Sequence, residues 1–273
     1  MGNTKIKMKP KINFLCVGAQ KSGTTTLFEI LKQHPDIYLP EVKETHFFDD
    51  DALYNKGIDF LIKNFYSSYQ GEKAVGDITP AYMYFEYVPE RIYKTLGKDI
   101  KLIFILRNPA DRAFSHYLMT YRRGLEYLNF WDAIKEEPKR LKKGYFHRIH
   151  YSYIDRGYYA KQIKRFLKFF PRENMKIFIF EKDFLPLEAR KKTISEILEF
   201  LEVENIELNI NIKSNEGKIP KNIFLQTFIY SILYRENRLK QFLRSLIKSK
   251  SIKEEAKHIL KKLKEKNLFI CLA

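Results

Sequence analysis

Three short groups of residues carry the types and spacings that could do chemistry. The first is Phe14-Leu15-Cys16-Val17-Gly18-Ala19-Gln20-Lys21-Ser22-Gly23-Thr24-Thr25-Thr26-Leu27. An apolar run feeds a loop of small residues, and an amphipathic segment follows at once, which predicts strand, phosphate-holding loop and helix. The N–H groups of such a loop and of the helix N-terminus can hold an anion, and Lys21 adds a full positive charge. Gly18 and Gly23 have the glycine spacing of a nucleotide phosphate loop, but the lysine precedes the second glycine instead of following it. The second group is Leu106-Arg107-Asn108-Pro109, followed by Arg112 and Ser115. An arginine with five fixed donors and a serine hydroxyl two turns further on can clamp a phosphomonoester. The third is Pro40-Glu41-Val42-Lys43-Glu44-Thr45-His46-Phe47-Phe48-Asp49. In an extended conformation Glu44 and His46 share one face, and a carboxylate beside an imidazole can take a proton from a hydroxyl. Each group alone has an ordinary explanation: a Gly/Thr turn, a structural ion pair with a surface serine, and a polar loop with its aromatics in the core.

The elements that must position these groups alternate along the chain. Helix is expected over Gly23 to Gln33, stopped by His34-Pro35, with short strands at Ile37-Tyr38-Leu39 and Lys73 to Asp77. Leu102 to Leu106 is a continuous apolar run, as a parallel strand buried on both faces requires, and Arg107 then caps it at its C-terminal end, where ligands bind in open α/β sheets. Pro109 suits a first helical turn, with helix continuing over Asp111 to Arg123. Met175 to Phe180 reads as another buried strand and Ile194 to Leu201 as an amphipathic helix. The fold class is therefore α/β, a parallel β-sheet flanked by helices. From Pro220 onward the pattern is helical only. Asn205 to Asn222 is the longest polar loop and the expected break between a core over 12–220 and a helical C-terminal extension over 221–273, within one domain.

The chain has 273 residues, 45% of them hydrophobic, enough for one large α/β domain. No apolar stretch is long enough to span a bilayer, and Ile12 to Val17 is too short for a signal-peptide core, so the expected location is cytoplasmic. Two cysteines, Cys16 and Cys271, cannot form a disulfide framework. The net charge of +17 favours anionic partners such as a nucleotide, an acidic polysaccharide or nucleic acid. His147 and His150 stand three apart with no Cys, Asp or Glu cluster beside them, so no metal site is expected. Trp131 and its aromatic neighbours read as core. Tyr145, Tyr151, Tyr153 and Tyr158, near Lys142, Lys143 and Arg148, read either as a sugar-binding cleft or as packing.

Taken together, the three groups resemble the sulfotransferase family that uses 3′-phosphoadenosine 5′-phosphosulfate (PAPS), and within it the Golgi-type heparan sulfate sulfotransferases and their bacterial relatives. The resemblance covers roughly residues 12 to 220. Lys21-Ser22-Gly23-Thr24-Thr25 looks like the family's 5′-phosphosulfate loop, with Thr26 following, and Arg107-Asn108-Pro109 through Ser115 looks like its 3′-phosphate motif. Glu44-Thr45-His46-Phe47-Phe48 has an acidic residue at the position of the general base. Asp77-Ile78-Thr79-Pro80-Ala81-Tyr82, and Arg156-Gly157-Tyr158-Tyr159 with Phe170-Pro171, look like further family segments. The resemblance implies in-line sulfuryl transfer to a hydroxyl or amine, with a carbohydrate the expected acceptor, Glu44 as base, His46 orienting it or assisting, Lys21 on the leaving phosphate, and no metal. Lys213, Lys218 and Lys221 lie where relatives bring a basic loop over the nucleotide, and Lys218 is the candidate among them. Ile78 departs from the pattern, standing where the heparan sulfate enzymes carry a lysine. Two rivals remain: a P-loop nucleotide kinase, which needs Gly-Lys-Ser/Thr and a metal-holding acid that the sequence lacks, and a non-enzymatic binder of nucleic acid or another anionic polymer, in which Glu44-x-His46 would have no purpose.

Overall fold

The computed structural model describes residues 9–212, 218–234, 250–266 and 268–270. Five apolar runs form one parallel sheet: β1 (Phe14–Gly18), β2 (Ile37–Tyr38), β3 (Ala74–Ile78), β4 (Lys101–Leu106) and β5 (Met175–Ile179), in the order β2-β3-β1-β4-β5. Helices α1 (Thr24–Leu31), α2 (Asp51–Tyr54), α3 (Gly57–Phe65), α4 (Val88–Leu96), α5 (Pro109–Arg122), α6 (Phe130–Leu141), α7 (Tyr145–Tyr151), α8 (Tyr159–Phe166) and α9 (Leu187–Phe200) fill the connections. By strand alternation, Phe14, Cys16, Ile103 and Ile105 face one way, against Leu27, Phe28, Ile30 and Leu31 of α1 and Ile194, Ile197 and Leu198 of α9. On the other face Phe104 meets Phe166 of α8 edge-on, with ring centroids 5.2 Å apart. Every residue of β1 and β3 is buried. Cover on both faces is why Phe14–Val17 and Leu102–Leu106 read as unbroken apolar sequence.

The chain divides into two compact units, Met1–Arg112 with Arg156–Ser214, and Ala113–Asp155 with Asn215–Ala273. The first holds the whole sheet. The strand expected to end at Phe180 ends at Ile179, because residues Phe180–Phe184 tighten into a single wide helical turn. The boundary between the two units, Ser214 to Asn215, falls within the Asn205–Asn222 segment expected as the break, and the first part of that segment is packed. Leu208, Ile210 and Ile212 pack against the sheet's core cluster, their polar alternates point outward, and Asn209 bonds through its backbone to Gln33. A polar composition concealed a period of two.

In the second unit, Tyr117, Ala133, Tyr151 and Tyr153 form a small core with Phe130 packed against it. Trp131, expected inside, is 71% exposed. Asn129 caps α6 by accepting the N–H of Asp132 at 3.0 Å, and the helical period then turns Ala133 and Glu137 inward and Trp131 outward. The four tyrosines likewise split: Tyr151 and Tyr153 are core, whereas Tyr145 and Tyr158 are exposed, Tyr158 within the first unit. The tail is not purely helical. Besides α10 (Ile223–Tyr234) and a helix over Lys250–Lys266, Lys218–Pro220 pairs antiparallel with Leu268–Ile270, an aromatic and β-branched run that favours extended backbone.

Glu126 is a buried charge of this unit. Its carboxylate is paired with Arg140, accepts the Tyr153 hydroxyl at 2.9 Å, and accepts the backbone N–H groups of Tyr127 and Leu128 at 3.0 and 3.1 Å. Removing one partner of such a pair strands the other. Glu126→Ala should therefore lower unfolding free energy by about 3–5 kcal/mol in urea titration, and a loss under about 1 kcal/mol would show the cluster to be incidental.

Candidate active site

The sheet order reverses direction between β1 and β4. The connection leaving β1 runs toward β2 and β3, and the one leaving β4 runs toward β5. Open α/β sheets bind ligands at the carboxyl ends of strands flanking such a switch. The loop after β1 carries Lys21, and the residue after β4 is Arg107. The structure joins them: Arg107 Nη1 donates to the backbone oxygen of Lys21 at 3.0 Å. The Arg107 guanidinium lies 5.2 Å from the ring centroid of Phe180, and its Nε is 3.9 Å from Glu181 Oε1. Glu181 also accepts the N–H of Asn108, whose own side chain caps α5 by accepting from Ala110 and Asp111. Asn108 thus sets the helix start and Pro109 its first turn.

The loop between β1 and α1 is tightly held. Gly18 has no room for a side chain, since a Cβ there would sit 2.6 Å from the Cβ of Met83. Gly23 caps α1 at φ 84°, in the left-handed region, and a Cβ there would sit 2.8 Å from the Phe180 ring. Lys21 also has positive φ, 71°. A glycine cap brings no side chain to the first N–H groups of α1, so that end of the helix suits an anion. Ser22, Thr24 and Thr26 are buried, Thr25 is half-buried, and the Ser22 hydroxyl makes no hydrogen bond among the described residues. Below the loop, burial pushes the Cys16 thiol up to about 12, so it is an unreactive core residue.

The loop over residues 43–49 gathers around Asp77 at the end of β3. One oxygen of this buried carboxylate accepts the hydroxyls of Thr45 at 2.6 Å, Thr79 at 2.9 Å and Tyr82 at 2.9 Å. The Tyr82 oxygen in turn accepts the N–H of Phe47. Tyr87, just before α4, and Arg91 of α4 donate to the carbonyls of Asp49 and Phe48. Desolvation holds the Asp77 pKa above the ordinary carboxylate range, with the three hydroxyls opposing it. Saturated in this way, Asp77 serves as a strut.

Glu44 and His46 do meet, but not by the alternation of an extended strand. Both have positive φ, 67° and 53°, and this left-handed path brings His46 Nε2 to 3.7 Å from Glu44 Oε2. The other Glu44 oxygen is ion-paired with Lys43. Two partners escaped the sequence reading. Lys43 was named there without a role, and so was Asp49, whose fully buried carboxylate takes His46 Nδ1 at 3.0 Å. The His-x-x-Asp spacing was the available signal for the latter. Asp49 on Nδ1 turns Nε2 toward Glu44. Ile78 is buried in the core and adds no cation. Ser115 lies on the second-unit part of α5 and is half-buried. Lys213 lies outside the described residues, as does the side chain of Lys218, whose backbone belongs to the short antiparallel pair.

A sulfotransferase domain family model matches residues 11–263, and the chain belongs to the sulfotransferase family. It is similar to a sulfotransferase of Alicyclobacillus acidocaldarius of known structure, at 32% identity and a TM-score of 0.65, covering 76% of this chain and 87% of that one. It is also 34% identical over 167 residues to the human heparan sulfate glucosamine 3-O-sulfotransferase 5, covering 60% of this chain and 46% of that protein. The membrane-associated sulfotransferase kil1 of Dictyostelium discoideum is 37% identical over 121 residues, 42% of this chain and 25% of that protein. The chain spans less than half the length of these last two relatives. Among the described residues, no helix is long and apolar enough to cross a membrane.

Desolvation disfavours the charged form of His46, but the hydrogen bond and charge of Asp49, with Glu44 and Asp77 adding, outweigh it and raise the imidazole pKa above its usual value. A raised folded-state value contributes stability that is complete below the unfolded pKa of about 6.5 and is lost as pH rises through the folded value. Imidazole NMR should therefore show His46 titrating above the free value, and Asp49→Asn should bring it down. A His46 titration unchanged by Asp49→Asn would remove Asp49 from the site.

Proposed function

We propose that this protein transfers a sulfuryl group from PAPS to an acceptor hydroxyl, with a carbohydrate as the acceptor class. The observation that carries the reading is the Arg107–Lys21 hydrogen bond at the sheet's switch point, beside a glycine-capped helix end. It supports one ligand with two anionic groups, a phosphosulfate on the loop and a 3′-phosphate toward Arg107. The Ser115 contact to that phosphate rests on the resemblance alone. Glu44 takes the acceptor proton as the new S–O bond forms and the bond from sulfur to the phosphate oxygen breaks. Lys21 and the loop N–H groups stabilise the charge left on that phosphate. His46, fixed by Asp49, steadies the second oxygen of Glu44. The carbohydrate acceptor is supported by the names of the 3-O-sulfotransferase relatives.

The first test supplies labelled PAPS with a panel of glycans, lipids and phenols and measures incorporated sulfate. Lys21→Ala should raise the barrier to transfer by about 2–4 kcal/mol, read from kcat/KM, because it removes a preorganised cation from the leaving group. Near-normal turnover with a native circular-dichroism spectrum would reduce Lys21 to a surface charge.

Glu44→Gln keeps the shape of the side chain and removes the base. Turnover should fall by about a hundredfold to ten-thousandfold while calorimetry finds affinity for 3′,5′-bisphosphoadenosine intact. If turnover persists, the base lies elsewhere. A non-enzymatic polymer binder would instead show steep salt dependence and no transfer in any arm of the panel.

A further inference from the structure

We propose that Lys43 is a positioning residue that aims the Glu44 carboxylate. The inference rests on the reading of Glu44 as base and adds the group that orients it. A glutamate's terminal torsion is broad and nearly two-fold, so a carboxylate held at one oxygen still turns. Here both oxygens have a nitrogen neighbour. Lys43 Nζ pairs with Oε1, and His46 Nε2 stands 3.7 Å from Oε2. His46 is itself fixed by buried Asp49. The plane of the carboxylate is thereby set from both sides.

Sequence neighbours seldom meet in this way. In extended backbone the side chains of 43 and 44 would leave on opposite faces. The left-handed backbone at Glu44 is what lets them converge. A left-handed glutamate costs conformational energy that a solvent-screened surface ion pair does not offset. Nor is this a freely solvated pair, because the Lys43 side chain is only 17% exposed. Lys43 thus holds one oxygen of Glu44, and His46, fixed by Asp49, faces the other.

The test is a cycle of Lys43→Met, Glu44→Gln and the double variant, with Lys43→Arg as the conservative replacement. Each is assayed for transfer from PAPS to the best acceptor of the panel and for 3′,5′-bisphosphoadenosine affinity. Lys43→Met should lower kcat by about tenfold or more, with donor KM and nucleotide affinity within about twofold of the parent. Lys43→Arg should recover most of that loss. In the Glu44→Gln background, Lys43→Met should cost nothing further, because a residue acting through Glu44 has nothing left to aim. Three results would overturn the proposal: unchanged kcat in Lys43→Met, an equal further loss in the Glu44→Gln background, or turnover and nucleotide affinity falling together in both Lys43 variants. Retained turnover in Glu44→Gln alone would instead remove the base assignment, and this inference with it.

Discussion

A single carboxylate oxygen organises the part of the molecule where chemistry is concentrated. Asp77 sits in the interior at the end of a central strand, and such a group is tolerated only when its lone pairs are used. Thr45, Thr79 and Tyr82 all donate to it. Thr45 belongs to the 43–49 loop, Tyr82 also holds that loop through the N–H of Phe47, and Thr79 begins the chain's exit from β3. Solvating Asp77 would release all three at once. The left-handed backbone at Glu44 and His46 is a strained path, and this buried anchor, with the Tyr87 and Arg91 bonds, is what keeps the loop on it.

The candidate anion site is built on a different principle. It relies on backbone placed by glycines and on a strand order that reverses between β1 and β4. Arg107 is held by a carbonyl, an aromatic face and a nearby carboxylate, which limits its rotamers before any ligand arrives.

The sheet was legible because strands covered on both faces cannot hide: Phe14 to Val17 and Leu102 to Leu106 have no polar interruption. Helix starts were legible where capping chemistry is local, as at Asn108-Pro109. The strand–loop–helix order from Phe14 to Leu31 was legible from its apolar run and glycine spacing, but the loop's contact with Arg107 was not, because it depends on strand order and runs to a main-chain oxygen. The Glu44–His46 pair was visible as composition and misread as geometry, since alternation along a strand presumes φ values these residues do not have. Trp131 was misplaced because a large aromatic weighs heavily in a sequence, whereas the register from the Asn129 cap decides which side of α6 it occupies. The alternation of Leu208, Ile210 and Ile212 was hidden by asparagines between them.

The contact between Gly23 and Phe180 ties together the chain's history as well as its structure. The ring occupies the volume into which a β-carbon at 23 would grow. In any lineage of such chains these two positions cannot drift independently. A larger residue at 23 is admissible only after the ring at 180 has shrunk, and it then still meets a left-handed backbone. Losing the ring, in turn, uncovers the face of Arg107. Growth at 23 is opposed by the ring, and loss of the ring is opposed by what it leaves uncovered at Arg107, so the pair should persist together or be replaced together, and an alignment of relatives would carry that mark as covariation between two sites far apart in sequence.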